Sequence, residues 1–271
     1  MIGKLAGVAA FFLCAPLLHA QTWPDRPMRL FVAQGAGGGQ DTIARYLAEA
    51  GATTLAPALS NETLLGREPL TGIQRRLAPI ATTAGINGDF FALKSGLPSG
   101  VLMADGQVLS PPQGDRSSAG VTTDGTLDVR RVSFFGTWQG SGAKRTLNRF
   151  NKPLDGADGI ALFTSAYGPV APAPPGATAA VLFPFPATIP NTDLAAPVAE
   201  LFAATGGVAI PPGGAVLVAQ GSAAQALTAE APVGQVVTSS VLFRPDWPGV
   251  VQAIGGGPEI VRGGAPIFRA G

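Results

Sequence analysis

From Ile80 onward, short apolar runs recur between turns marked by glycine, proline and Asp-Gly pairs, the pattern of many brief strands. Val101–Met103 and Gln107–Leu109 flank Asp105-Gly106, which predicts a hairpin closed by a type I′ turn. Ser118–Thr123 and Thr126–Phe134 flank Asp124-Gly125 and predict a second hairpin. Ile160–Phe163, Ala180–Phe183, Ala215–Ala219 and Gln235–Phe243 read as further strands, and Ser222–Thr228 as a helical turn. Pro169–Pro175 reads as a loop, because proline cannot donate to a strand ladder. No internal repeat is evident.

The stretch ahead of Ile80 differs. Met28–Val32 reads as a strand, Gly35–Asp41 as a glycine-rich turn, and Ile43, Tyr46 and Leu47 recur at helical spacing. Residues 51–79 read as a strand end, a loop and a short irregular segment. The expected fold is therefore α+β: a strand-dominated mixed-sheet domain preceded by a short β-turn-α unit.

Composition supports that picture. The 271 residues are 46% hydrophobic and 13% charged, with 37 Gly and 25 Pro. The charged fraction is about half of the ~25% usual for soluble domains. Net charge is +1, and no Lys/Arg-rich run suggests nucleic acid as a partner. Lys4, the apolar run Leu5–Leu18 and Leu18-His19-Ala20 read as a secretory signal over residues 1–20. Export to the periplasm or beyond follows, with no membrane span expected in the mature chain. Cys14 and His19 are the chain's single cysteine and histidine, and both lie in that leader. Thiol, Ser-His-Asp and His/Cys-zinc chemistry are then excluded from the mature chain. No metal or cofactor is implied, and catalysis falls to carboxylates, Arg, Lys, Tyr, hydroxyls and backbone groups.

Two resemblances sharpen the reading. Residues 22–50, with Gly35-Ala36-Gly37-Gly38-Gly39-Gln40-Asp41 before a helical run, resemble the start of Bug-type tripartite tricarboxylate transporter receptors, which are exported binders of small carboxylates. Such a turn suits an anion, since free amides and the helix dipole face it. A plain β-turn-α unit without ligand is the alternative. Ile86-Asn87-Gly88-Asp89-Phe90-Phe91 and Ala253-Ile254-Gly255-Gly256-Gly257-Pro258 carry the second resemblance. With Pro98-Ser99-Gly100, Arg116-Ser117-Ser118 and both Asp-Gly hairpins, their order is similar to the phosphodiester glycosidase family, over residues ~52–271. The chain ends before that family's Arg-x-Pro-Arg-Thr-Ala-like and Asp-Gly-Gly-Gly-Ser-like segments. Residues 51–271 are thus expected to be an incomplete phosphodiester glycosidase-like domain in a truncated or fused chain, and the missing segments leave its activity open.

The resemblance implies hydrolysis of a sugar 1-phosphodiester or a related cell-surface glycan, a reaction that needs a carboxylate and a phosphate-holding cation. Asp89, flanked by an apolar stretch that would raise its pKa, is the catalytic carboxylate candidate; a turn cap is its alternative. Asn87 is the candidate for orienting a sugar hydroxyl, or else a turn amide. Arg116 and Arg262 are the phosphate candidates, with surface ion pairing as the alternative. The amides of Gly255, Gly256 and Gly257 either bind an oxyanion or let two strands approach. Glu259 is not expected to be catalytic, and Trp247 either stacks on a sugar or plugs a turn. A periplasmic solute-binding protein for small carboxylates and a non-catalytic glycan-associated module are the alternative functions.

Overall fold

The structure is a computed structural model that describes residues 28–33, 53–79, 85–113, 116–257, 261–262 and 265–266, with side chains described at 56–79, 88–113 and 116–257. The expected leader, glycine turn and first helix lie outside the described residues. Strands β1 (Met28–Ala33), β2 (Thr53–Ala58) and β3 (Gly85–Asn87) form a parallel sheet in the order β2-β1-β3. Helix α1 (Leu70–Leu77) falls between β2 and β3 in the chain, where the sequence reading expects an irregular segment. Its apolar residues Leu70, Ile73 and Leu77 stand three and four apart, so they share one face. That face clusters with Ala58 at the end of β2. Two turns of helix interrupted by Gly72 are too short for the period to register in sequence.

The rest of the chain is strand-dominated. A five-stranded antiparallel sheet takes β4 (Leu102–Ala104), β5 (Gln107–Ser110), β6 (Ser117–Thr122), β7 (Leu127–Arg131) and the late strand β16 (Val250–Gly255), in the order β5-β4-β16-β6-β7. An eight-stranded sheet takes β8 (Ser133–Gln139), β9 (Arg145–Leu147), β10 (Arg149–Phe150), β11 (Gly159–Thr164), β12 (Val170–Leu182), β13 (Asp193–Ala209), β14 (Ala215–Gln220) and β15 (Val236–Arg244). Its order is β10-β11-β14-β12-β13-β15-β8-β9. Only the β10–β11 pair within it is parallel. Helix α2 (Gly221–Glu230) follows β14, and β17 (Val261–Arg262) pairs with β18 (Ala265–Pro266). Among the described residues no helix is long and apolar enough to cross a membrane.

The first hairpin forms as expected: Asp105 and Gly106 take φ of 50° and 78°, the pair of positive angles a type I′ turn requires. The second is built differently. Gly125 alone turns positive in φ, and its amide donates to the Thr122 carbonyl at 2.9 Å. The expected strand Thr126–Phe134 is also two strands. It breaks at Val132, which is fully buried, and β7 and β8 go to different sheets. Val132 at the corner belongs to the core, and no glycine or proline between Arg131 and Ser133 marks the break.

The expected Pro169–Pro175 loop is instead the first half of β12. Its residues 170–173 pair with β13 alone, because β14 reaches only Thr178–Leu182. Prolines are tolerated there because one edge of the strand has no ladder to feed. A register shift between Ala173 and Ala177 absorbs Pro174 and Pro175, and Gly176 supplies a φ of 79°. The long partner β13 escapes sequence reading because small alanines and glycines blur its alternation.

The central strands are buried on both faces. Ile160, Leu162, Leu217 and Ala219 join the larger core with Val101, Met103, Trp138, Phe150, Phe243 and Ala253 from both sheets and Leu227 of α2. Ala161, Phe163, Val216 and Val218 point the other way into a second cluster with Tyr167 and Ile210. This explains the continuous apolar runs of β11 and β14, which carry no alternation. Truncating fully buried Leu217 to Ala is expected to lower unfolding free energy by about 2–5 kcal/mol. Val233→Ala, on a largely exposed side chain, should stay within about 0.5 kcal/mol in the same urea titration.

Candidate functional site

The candidate site forms at one end of the five-stranded sheet. There the start of β4, the end of β16 and the start of β6 come together. Ile254 pairs with Leu102 and Gly255 with Ser118, while the Gly255 amide donates to the Val101 carbonyl at 2.8 Å. The loop leaving β3 brings Asp89 into this junction. Its side chain is 1% exposed.

Two glycines make room for it. A Cβ on Gly100 would lie 2.3 Å from Asp89 Oδ2, and one on Gly255 would lie 2.2 Å from the same oxygen. Both distances are far inside van der Waals contact. The carboxyl is thus wedged between two backbones that approach closely because neither carries a side chain. Ser110 Oγ fixes one wall by donating to the Gly100 carbonyl at 2.9 Å.

Asp89 Oδ1 accepts the Phe90 amide at 2.7 Å and Arg116 Nη1 at 3.4 Å. Oδ2 is buried and accepts no hydrogen bond of good geometry, although the Gly100 amide lies near enough to favour its charge. Burial dominates and pushes the Asp89 carboxyl above the ordinary carboxylate value. The Phe90 amide, the Arg116 charge, the Gly100 amide and the Lys152 charge draw it partly back.

Arg116 opens the site to solvent. Its side chain is 32% exposed, and its guanidinium carbon stands 4.9 Å from the centre of the Phe90 ring, within cation–π range. Phe90 is itself 45% exposed, so charge and ring form one outward-facing platform. Phe91, half-buried, bridges to Pro98 in the same loop.

Lys152 reaches the site from the other sheet. It follows β10, and its Nζ donates to the Ser99 carbonyl at 2.9 Å. Burial lowers its affinity for a proton, and Asp89 opposes that shift. The preceding residue, Asn151, is fully buried with φ of 47°. Its Nδ2 donates to the Leu109 carbonyl at 2.8 Å and to Thr164 Oγ1 at 3.0 Å, and its Oδ1 accepts the Thr164 amide at 2.8 Å. The expected site residues do not include Lys152. The signal available in sequence was scarcity: the chain has four lysines, Lys4, Lys94, Lys144 and Lys152.

The other expected residues are placed as follows. Asn87 ends β3, in register with Ala33 of β1. Arg262 sits in β17, paired with Ala265. The side chains of both lie outside the described residues, as does Glu259. The amides of Gly255 and Gly256 are both taken by protein carbonyls, Val101 and Ser117, the latter at 3.0 Å. The oxyanion role is therefore corrected at these two positions in favour of close strand approach. Gly257 has open space around its missing Cβ. Trp247 is a plug: it is 4% exposed, donates from Nε1 to Asp128 Oδ2 at 2.9 Å, and fills the space left by Gly120. Among the described residues no cluster of three His, Cys, Asp or Glu is placed to hold a metal ion.

Two outcomes follow from this geometry. Gly100→Ala and Gly255→Ala should each destabilise the protein by about 1–3 kcal/mol through overpacking, while Gly257→Ala stays within about 0.5 kcal/mol. The second concerns pH. A carboxyl raised on folding favours the native state most when protonated, below its ordinary value of 3.8, and that contribution is lost as pH rises through the folded value. Urea unfolding of the wild type and Asp89→Asn should show the wild type losing ground to the variant from about pH 4 upward, then levelling.

Comparison with known proteins is sparse. No family model matches the chain, so the expected phosphodiester glycosidase family is not shown. A UPF0065 protein of Bordetella bronchiseptica, a Bug-type protein, is 44% identical over 55 residues, 17% of this chain and 16% of that protein. A hypothetical protein from Synechocystis superposes with a TM-score of 0.60 at 22% identity, over 77% of this chain and 37% of that one. A protein of Burkholderia pseudomallei K96243 described as exported superposes with a TM-score of 0.54 at 18% identity, over 73% of this chain and 45% of that one. The chain thus spans less than half of each of these proteins, and its fold is shared with both solved structures.

Proposed function

We propose that the protein is an exported, hydrolase-like protein that engages a sugar 1-phosphodiester or a related cell-surface glycan at the Asp89–Arg116 site. The observation that carries this reading is the partly exposed Arg116, held from behind by a buried carboxylate and stacked on exposed Phe90. Among the described residues, Asp89 is the one carboxylate paired with Arg116. The guanidinium suits the non-bridging oxygens of a phosphodiester. The Phe90 ring offers an apolar face to the adjoining sugar. The apolar run at Leu5–Leu18 and the neighbour described as exported support an exported location.

In this reading, water adds to the anomeric carbon as its bond to the phosphate oxygen breaks. The bonding pair leaves with the phosphate monoester, and the water loses a proton. Phosphate is a good leaving group, so electrostatic support of the leaving oxygen and of the cationic sugar centre is the main requirement. Asp89 is the nearest acid. Its burial means that it acts first through Arg116, by fixing the guanidinium. Asn87 is assigned to a sugar hydroxyl and Arg262 to the phosphate, both from sequence order.

A second reading is favoured by the 44% identity to the UPF0065 protein: a periplasmic solute-binding protein for small carboxylates. The parallel β2-β1-β3 sheet is compatible with the opening of an α/β binding lobe. That similarity supports this reading more directly than the hydrolytic one.

Incubation with N-acetylglucosamine 1-(methyl phosphate), followed by measurement of released methyl phosphate, separates them. Turnover that falls about 100-fold or more in Asp89→Asn and Arg116→Ala is the expected result. Tight dicarboxylate binding without turnover would establish the second reading. Glycan retention with neither would indicate a non-catalytic module.

A further inference from the structure

We infer that Lys152 is the second cation of the Arg116 site and that Asn151 is the residue that positions it. The inference rests on the reading of this site as an anion site and names how the anion is held: its two unsubstituted oxygens are divided between the Arg116 guanidinium and the Lys152 ammonium.

Three observations converge. Lys152 donates to the Ser99 carbonyl, and the Ser99 amide donates to the Phe90 carbonyl at 2.8 Å. Lys152 is thereby tied to the loop that carries Phe90, next to the glycine wall enclosing Asp89. Asp89 favours the charged Lys152 ammonium and the like charge of Arg116 opposes it, so the three groups lie within electrostatic reach of one another.

The position is also built. Asn151 takes a left-handed backbone angle, rare for a residue with a side chain. Its side-chain hydrogen bonds hold it to the end of β5 and, in buried positions, to Thr164 of β11. A half-buried lysine within electrostatic reach of an arginine is unfavourable unless an anion offsets the pair. Asp89 supplies one negative charge against two positive ones. Arg149, the other cation felt by Lys152, is paired with Asp155. One further anionic group would balance these charges, and a phosphodiester provides it.

The test is calorimetric titration of the full chain with N-acetylglucosamine 1-(methyl phosphate), beside NMR of protein labelled with lysine carrying 13Cε. The Lys152 signal is assigned by its loss in Lys152→Arg. Expected results are about ten-fold or weaker binding in Lys152→Gln and in Arg116→Ala, binding within a few-fold of wild type in Lys152→Arg, and a ligand-dependent shift of the Lys152 signal. If Lys152→Gln does not fold, the wild-type signal decides: a shift that saturates with the ligand supports the inference, and a still signal overturns it. Loss of binding in Arg116→Ala with unchanged Lys152→Gln and a still Lys152 signal would overturn the inference and leave the anion site standing. No binding to the wild type would overturn both.

Discussion

A carboxylate removed from water and wedged between two glycine backbones is the constraint on which the rest of the site depends. Asp89 Oδ2 occupies the volume that side chains on Gly100 and Gly255 would fill. Charge in such a place is unfavourable unless cations and amides compensate. The Phe90 amide, Arg116 and, at longer range, Lys152 do so. The close approach of β4 to β16, the orientation of Arg116 and the stacking of that arginine on Phe90 all meet at this one side chain. The two sheets meet there as well, because Lys152 follows the β10 edge while Gly255 belongs to the five-stranded sheet and Gly100 to the segment leading into it.

Much of the fold was legible wherever turn chemistry or burial leaves a local mark. Asp105-Gly106 announced its hairpin because two consecutive positive φ angles demand such residues. The runs Ile160–Phe163 and Ala215–Ala219 announced buried strands. What stayed hidden was tertiary in origin. The switch of sheets at Val132 carries no glycine or proline to mark it. The prolines of β12 are tolerated only because β14 is too short to need their amides. Residues 70–77 make too few turns for their period to stand out.

The site divides in the same manner. Asp89, Arg116 and Gly255 were readable as chemistry-bearing residues near glycine-rich turns, and the fold brings these three together. Their roles were less readable. Gly255 serves packing, its amide and that of Gly256 being bonded to strand carbonyls. Lys152 lay in a loop with no motif, about sixty residues from Asp89 in sequence. Only the pairing of β10 with β11 and the hydrogen bonds of Asn151 carry it to Ser99.

The central claim is most directly tested by a crystal structure of the protein bound to N-acetylglucosamine 1-(methyl phosphate). The account predicts the phosphate against the Arg116 guanidinium, the sugar over Phe90, and the Asp89 carboxyl still enclosed by Gly100 and Gly255. A phosphate bound away from Arg116, or an Asp89 side chain turned out into solvent with the two glycine backbones apart, would contradict it.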